Sequence, residues 1–142
     1  MAAGECQIVI DVPPDRVFDV ICDYERYPEF LPWITEARVL SRENNVVRVH
    51  FELELVMRVA YTLEITEQRS SHVEWKLEDA RLILLNNGHW DLKPRDDGGT
   101  DVTYGLEVVF PGTVPQSVSG RLLNSTLPDT LERFKGRAES GL

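Results

Sequence analysis

The chain has 142 residues, two cysteines and a net charge of −9, from 15 Lys plus Arg against 24 Asp plus Glu. That length suits one domain, 1–142, which buries roughly 68–70% of its unfolded surface and needs no disulfide or metal to do so. The acidic balance opposes a surface built to neutralise phosphates, so no nucleic-acid partner is expected, and contact with an anionic membrane is expected to be transient at most.

Cys6 and Cys22 stand apart with no CxxC spacing, and His50, His72 and His89 are dispersed. No metal and no cofactor are expected from such a set. The start, Met1 to Glu5, is neither basic nor apolar, and no segment approaches the ~20 apolar residues of a membrane span. A soluble, cytoplasmic protein is therefore expected.

In chain order, Cys6 to Val12 reads as a first strand, closed by Pro13-Pro14. Asp11 or Asp15 is placed to cap a helix running to Cys22, with Pro14 in its first turn and Val17, Phe18, Val20 and Ile21 as its apolar stripe. Asp23 to Trp33 packs five large apolar or aromatic side chains and two prolines into eleven residues. Such a patch is driven out of water, and its prolines forbid one uninterrupted helix. A short second helix over Arg26 to Leu31 is predicted, turning Tyr27, Phe30 and Leu31 inward, with Trp33 at the entry to a strand.

From there the period changes to two. Ile34 to Arg42 is a strand, and Asn44-Asn45 a hairpin turn into a strand with Val47, Val49, Phe51, Leu53 and Leu55 on one face. Arg58 to Glu67 repeats the pattern with Val59, Tyr61, Leu63 and Ile65; Ser70-Ser71 turns into His72 to Glu78, with Val73, Trp75 and Leu77. Leu82 to Lys93 sets Gly88, Trp90 and Leu92 in register, Asp96 to Gly99 is a hairpin loop, and Thr100 to Phe110 aligns Val102, Tyr104, Leu106 and Val108. A helix from Val114 to Ala138 carries Val118, Leu122, Leu123, Leu127, Leu131 and Phe134 at spacings of three and four, bent at Pro128. Near its end, Arg133, Lys135 and Arg137 read as complements to the helix dipole or as a small basic patch.

The order strand, two short helices, a run of antiparallel strands and a last helix resembles the helix-grip fold of the START-like superfamily. The Asp23–Trp33 wording is most similar to its coenzyme Q-binding and polyketide cyclase/dehydrase-like branch. Leu127-Pro128-Asp129-Thr130-Leu131 and Gly88 to Pro94 carry the same resemblance, which spans Cys6 to Ala138. It implies an α+β fold: a curved antiparallel sheet of six to seven strands wrapped around a long C-terminal helix, with two short helices after the first strand. It also implies a hydrophobic ligand such as a lipid, a prenylated quinone or a polyketide. Members of the branch bind ubiquinone, cyclise or dehydrate polyketides, or act as a ribosome association toxin. Ile34 follows Trp33 where quinone-binding members carry cysteine.

A sheet bent around one helix leaves space on its concave face, and the inward residues make that space apolar. Burial of an apolar guest there contributes ~25 cal/mol per Å². The residues expected to line it are Tyr27, Phe30, Trp33, Phe51, Tyr61, Trp75, Trp90, Tyr104 and Leu122. Trp75 and Trp90 are suited to stack on a flat ring, and the hydroxyls of Tyr61 and Tyr104 to meet a ligand carbonyl; core filling is the alternative role for all four. No nucleophile–base pair shares the inward parity, so no catalytic residue is assigned. Binding or transport of a hydrophobic molecule is the leading expectation. A cyclase/dehydrase-type enzyme and a ribosome-docking interaction protein are the alternatives.

Overall fold

A computed structural model describes residues 2–54, 58–80, 83–111 and 127–141. Strands β1 (Ala2–Ile10), β2 (Ile34–Glu43), β3 (Val46–Glu54), β4 (Arg58–Gln68), β5 (His72–Ala80), β6 (Leu85–Pro94) and β7 (Thr100–Val109) form one antiparallel sheet. Its order is β1-β7-β6-β5-β4-β3-β2, so β2 to β7 form a meander and β1 closes against β7. Helix α1 (Pro14–Ile21) and a 3-10 turn (Tyr24–Glu29) link the two edge strands, and helix α2 (Leu127–Ser140) lies against the concave face.

The alternation of the sequence becomes the inside and outside of this sheet. Val47, Val49 and Phe51 of β3 are buried opposite Ile65, Leu63 and Tyr61 of β4, while Arg48 and His50 between them point outward. Bulges in the β2–β3 and β4–β5 ladders add local bend. The β5–β6 ladder is short: only His72 to Trp75 pair with Asp91 to Gly88, and beyond Trp75 the two strands part.

Several element boundaries differ from the sequence expectation. β1 occupies Ala2–Ile10 rather than Cys6–Val12 because its partner fixes it: Ala2 to Ile10 pair with Val108 to Thr100. Beyond Ile10 the chain leaves the ladder, and the Val12 carbonyl accepts the Thr100 hydroxyl at 2.7 Å. Neither Asp11 nor Asp15 caps α1. Pro13 occupies that position with extended backbone, and its carbonyl accepts the N–H groups of Arg16 and Val17. Asp15 instead accepts the hydroxyl of Ser70. The second helix starts at Tyr24, not Arg26, and is a 3-10 turn, since Pro28 within it has no N–H to give to an α-helical ladder.

Residues 114–126 of the expected long helix lie outside the described residues, and with them Asn124, whose carbonyl bears on the bend expected at Pro128. Within α2, Leu131, Phe134 and Ala138 are buried at spacings of three and four. The cations of this helix act as tethers. Lys135 donates to the Val9 carbonyl at 2.9 Å, Arg137 to Glu29 at 2.8 Å and Arg133 to the Phe30 carbonyl at 3.3 Å. Arg16 of α1 donates to the Ala138 carbonyl at 3.2 Å, and Glu139 accepts the backbone N–H of Asp11 at 2.8 Å. These bonds close the helix onto β1, α1 and the 3-10 turn, which fixes the roof of the space above the sheet.

Candidate functional site: an apolar cavity under the terminal helix

Between the concave face and α2 lies a cavity of about 140 Å³. That is close to the ~150 Å³ of an engineered apolar cavity that holds a benzene molecule. Its walls come from every layer. Tyr24, Tyr27 and Leu31 belong to the 3-10 turn and its exit, Phe51, Tyr61, Trp75, Trp90 and Tyr104 to the sheet, and Thr130 and Phe134 to α2. Phe134 is the hub of the roof, with ring centroids 4.9 Å from Trp90, 5.0 Å from Phe30 and 5.3 Å from Tyr27, all edge-on.

The electrostatics of the wall are simple. None of the described lining side chains is a carboxylate, imidazole, ammonium or guanidinium; the ionisable groups are four tyrosines. Two of their hydroxyls are already used. Tyr27 donates to the Ile21 carbonyl, and Tyr24 donates to Glu67 at 2.6 Å. Glu67 also receives Arg42 at 2.9 Å, so this end of the cavity is sealed by a polar cluster, beside which burial and the Glu67 charge push the Cys22 thiol well above its usual range. Tyr61 and Tyr104 have no hydrogen-bond partner among the described residues. Burial raises the pKa of both, and the neighbouring Tyr61 raises that of Tyr104 further. They stay protonated at neutral pH.

One more polar side chain faces this space. Asn86 is 7% exposed, and its Oδ1 accepts the indole N–H of Trp75 at 3.0 Å. It was not among the residues expected at the site. The signal was present in the strand's parity, because 86, 88, 90 and 92 share one face of β6 and Trp90 and Leu92 are buried there. Thr130 was missed in the same way, one turn before Phe134 on the buried stripe of α2.

Of the nine residues named from sequence, Tyr27, Trp33, Phe51, Tyr61, Trp75, Trp90 and Tyr104 lie in the cavity wall. Phe30 stands behind it, between Tyr27, Phe134 and the Arg137 guanidinium. Leu122 lies outside the described residues. His89 is on the convex face, where its ring covers Gly105, and Arg58 is exposed and pairs with Glu54.

The convex face carries the histidines away from the cavity. His72 bonds Asp91 at 2.6 Å and stacks on His89 at 6.2 Å. Glu36, His50 and Glu52 bring their ligand atoms within 4.8 Å of one another, the arrangement among the described residues that could hold a metal ion. His50 Nε2 lies 3.4 Å from Glu52 and 4.0 Å from Glu36; the bond with Glu52 and its charge raise the pKa of Glu36, and the same bond lowers that of Glu52.

A curved seven-stranded sheet closed by a terminal helix is the START-like, helix-grip fold. A structure of a START superfamily protein from Mycobacterium smegmatis superposes with a TM-score of 0.86 over all of both chains, at 16% identity. The chain belongs to the polyketide cyclase / dehydrase and lipid transport family, whose model matches residues 10–135. Among curated relatives, the ribosome association toxin RatA of Rickettsia prowazekii is 34% identical over 143 residues, covering 92% of each chain. The mitochondrial coenzyme Q-binding protein COQ10 of Dictyostelium discoideum is 26% identical over 97 residues, 65% of this chain and 46% of that protein. No helix among the described residues is long and apolar enough to cross a membrane.

Proposed function

We propose that this chain is a non-catalytic carrier that binds a hydrophobic small molecule in the cavity between the sheet and α2. The observation that carries the reading is a cavity of about 140 Å³ whose described wall holds no charged side chain. An apolar wall gains free energy from any apolar surface it removes from water, whereas acid–base catalysis needs a group that titrates near the working pH. The tyrosines, held protonated by burial, do not meet that need as bases. Tyr27, Phe30, Trp33, Phe51, Tyr61, Trp75, Trp90, Tyr104 and Leu122 are the proposed ligand-binding set; Phe30 acts by backing Tyr27 and Phe134.

The test is native mass spectrometry of the purified protein followed by organic extraction. A retained apolar molecule, or saturable uptake of an added one, supports the carrier. Failure of both rejects it.

Whole-chain similarity to a protein named as a ribosome association toxin favours a second reading, in which this chain docks on a ribosomal subunit. The net charge of −9 opposes a broad contact with RNA. Co-sedimentation with isolated ribosomal subunits decides it: a bound fraction that disappears on adding salt supports docking, and none at low salt rejects it.

A further inference from the structure

We propose that Glu36, His50 and Glu52 form a binding site for a divalent first-row transition-metal ion, with zinc as the representative, on the convex face of the sheet. The site lies on the far side of the sheet from the cavity and does not depend on what the cavity holds. Phe51, between His50 and Glu52, lines the cavity, and the two ligands on either side of it point away.

Strand register gathers the three residues. His50 and Glu52 are two apart on β3 and so share a face. On the edge strand β2, an irregularity between Ile34 and Glu36 sets Glu36, not Thr35, opposite Glu52. Thr35 fastens this bulge, its hydroxyl donating to the Glu52 carbonyl at 3.2 Å. Two carboxylates directly opposite each other repel. Arg58 is drawn to Glu54 at 3.3 Å, and Arg38, which stands opposite His50, offsets part of the charge without forming an ion pair among the described residues. A divalent ion between the carboxylates turns their repulsion into attraction. The ligand atoms of all three residues lie within 4.8 Å of one another, with His50 Nε2 3.4 Å from Glu52 and 4.0 Å from Glu36. Atoms that share a tetrahedral ion through bonds of ~2.0–2.1 Å stand ~3.4 Å apart. Small side-chain movements therefore suffice.

The imidazole is prepared to act as a ligand. Thr62 of β4 stands opposite His50 and is buried, and its hydroxyl lies 3.5 Å from His50 Nδ1. A hydroxyl both donates and accepts. It can therefore accept the Nδ1 proton and leave Nε2, the atom facing the carboxylates, with a free lone pair. Such an outer partner orients the ring as the partners of metal-bound histidines do. The donor set then selects the ion. An imidazole beside two carboxylates suits zinc and its first-row neighbours, whereas magnesium and calcium take oxygen ligands. The side chains of His50, Glu52 and Glu36 are 21%, 28% and 45% exposed, so an ion reaches them from solvent and completes its shell with water. Once bound, it ties the bulged end of edge strand β2 to β3.

Isothermal titration of the untagged chain with zinc chloride and with magnesium chloride tests the site. One zinc per chain is expected, bound at least about a hundred-fold more tightly than magnesium. His50→Gln, Glu52→Gln and Glu36→Gln are each expected to weaken zinc binding by about ten-fold or more. Thr62→Val, which removes only the outer partner, is expected to weaken it by about ten-fold. Circular dichroism and urea midpoints in the absence of metal establish that each variant is folded, and Glu36→Gln, on the edge strand, keeps the test decisive if another variant is not. The double variant H72Q/H89Q, which removes the other two imidazoles of the chain, is expected to bind zinc as the parent does. Failure to bind zinc, equal binding of zinc and magnesium, or a loss that follows His72 and His89 rather than His50 overturns the proposal. Unchanged affinity in Thr62→Val overturns the role given to Thr62.

Discussion

Gly88 stands directly opposite Trp75 across the β5–β6 ladder, and the indole occupies the space that a Cβ on residue 88 would need. The same construction recurs on the other face one strand along, where Gly105 stands opposite His89 and the imidazole covers it. In both pairs the missing side chain lets an aromatic ring lie flat on the sheet.

The two glycines differ in what surrounds the ring, and this gives a paired prediction. A methyl group on residue 88 would overlap the indole and stand 2.6 Å from the Gly105 carbonyl oxygen. Trp75 is held by Asn86 and cannot swing away freely, so Gly88→Ala is expected to cost ~1–3 kcal/mol, as overpacking does. For Gly105→Ala the three nearest atoms to the new methyl all belong to the imidazole of His89, whose side chain is 34% exposed and has room to move toward solvent. This substitution is expected to cost less. Urea unfolding of both variants checks the order, and a reversed order would show that Trp75 is not confined.

Phe134 closes the cavity roof and is 3% exposed, with three aromatic rings around it. Phe134→Ala is expected to cost ~3–5 kcal/mol, the range for a buried aromatic truncated to alanine. Phe134→Leu, which retains most of the volume, is expected to cost much less. Denaturant midpoints at constant m-value measure both. A small loss in the alanine variant would mean that α2 is not anchored through this ring.

The convex face supplies a pH dependence. Burial lowers the pKa of His72, but hydrogen bonds to Asp91 and Glu74 and their charges outweigh it, so the folded value lies above the ordinary one. A group raised in the folded state adds stability that is fully present below its unfolded pKa, near ~6.5, and lost as pH rises through the folded value. The stability gap between the wild type and His72→Gln is therefore expected to be wider at acid pH than at alkaline pH. Chemical denaturation at pH 5.5 and pH 8.5 reads the gap directly. A gap that stays constant would show that the imidazolium pairs no better in the folded chain than in the unfolded one.

Much of the architecture was legible in the chain because it depends on short-range alternation. Val47, Val49 and Phe51, or Val59, Tyr61 and Leu63, declare a strand and its buried face wherever they are placed. The Tyr27–Trp33 segment likewise declared a patch that must be covered, and Tyr27 and Trp33 stand in the cavity wall. What escaped was set by partners. Pairing with β7 moved β1 toward the N-terminus by several residues, and the carbonyl of Pro13, not an aspartate, received the first N–H groups of α1. The cations Arg133, Lys135 and Arg137 looked like complements to a helix dipole, yet they bind Phe30, Val9 and Glu29 from distant parts of the chain.

The order of residues alone determined which side chains face inward, because strand and helix periods are local properties of the backbone. It determined equally that those side chains are almost all apolar and that the whole chain is acidic. Only the folded arrangement decided how far α2 stands from the sheet, and hence that a space of about 140 Å³ remains between them. Only it brought the Trp75 indole to Asn86, eleven positions away on the neighbouring strand, where the amide oxygen accepts the indole N–H. Distances between elements depend on register and tilt, which no single segment encodes.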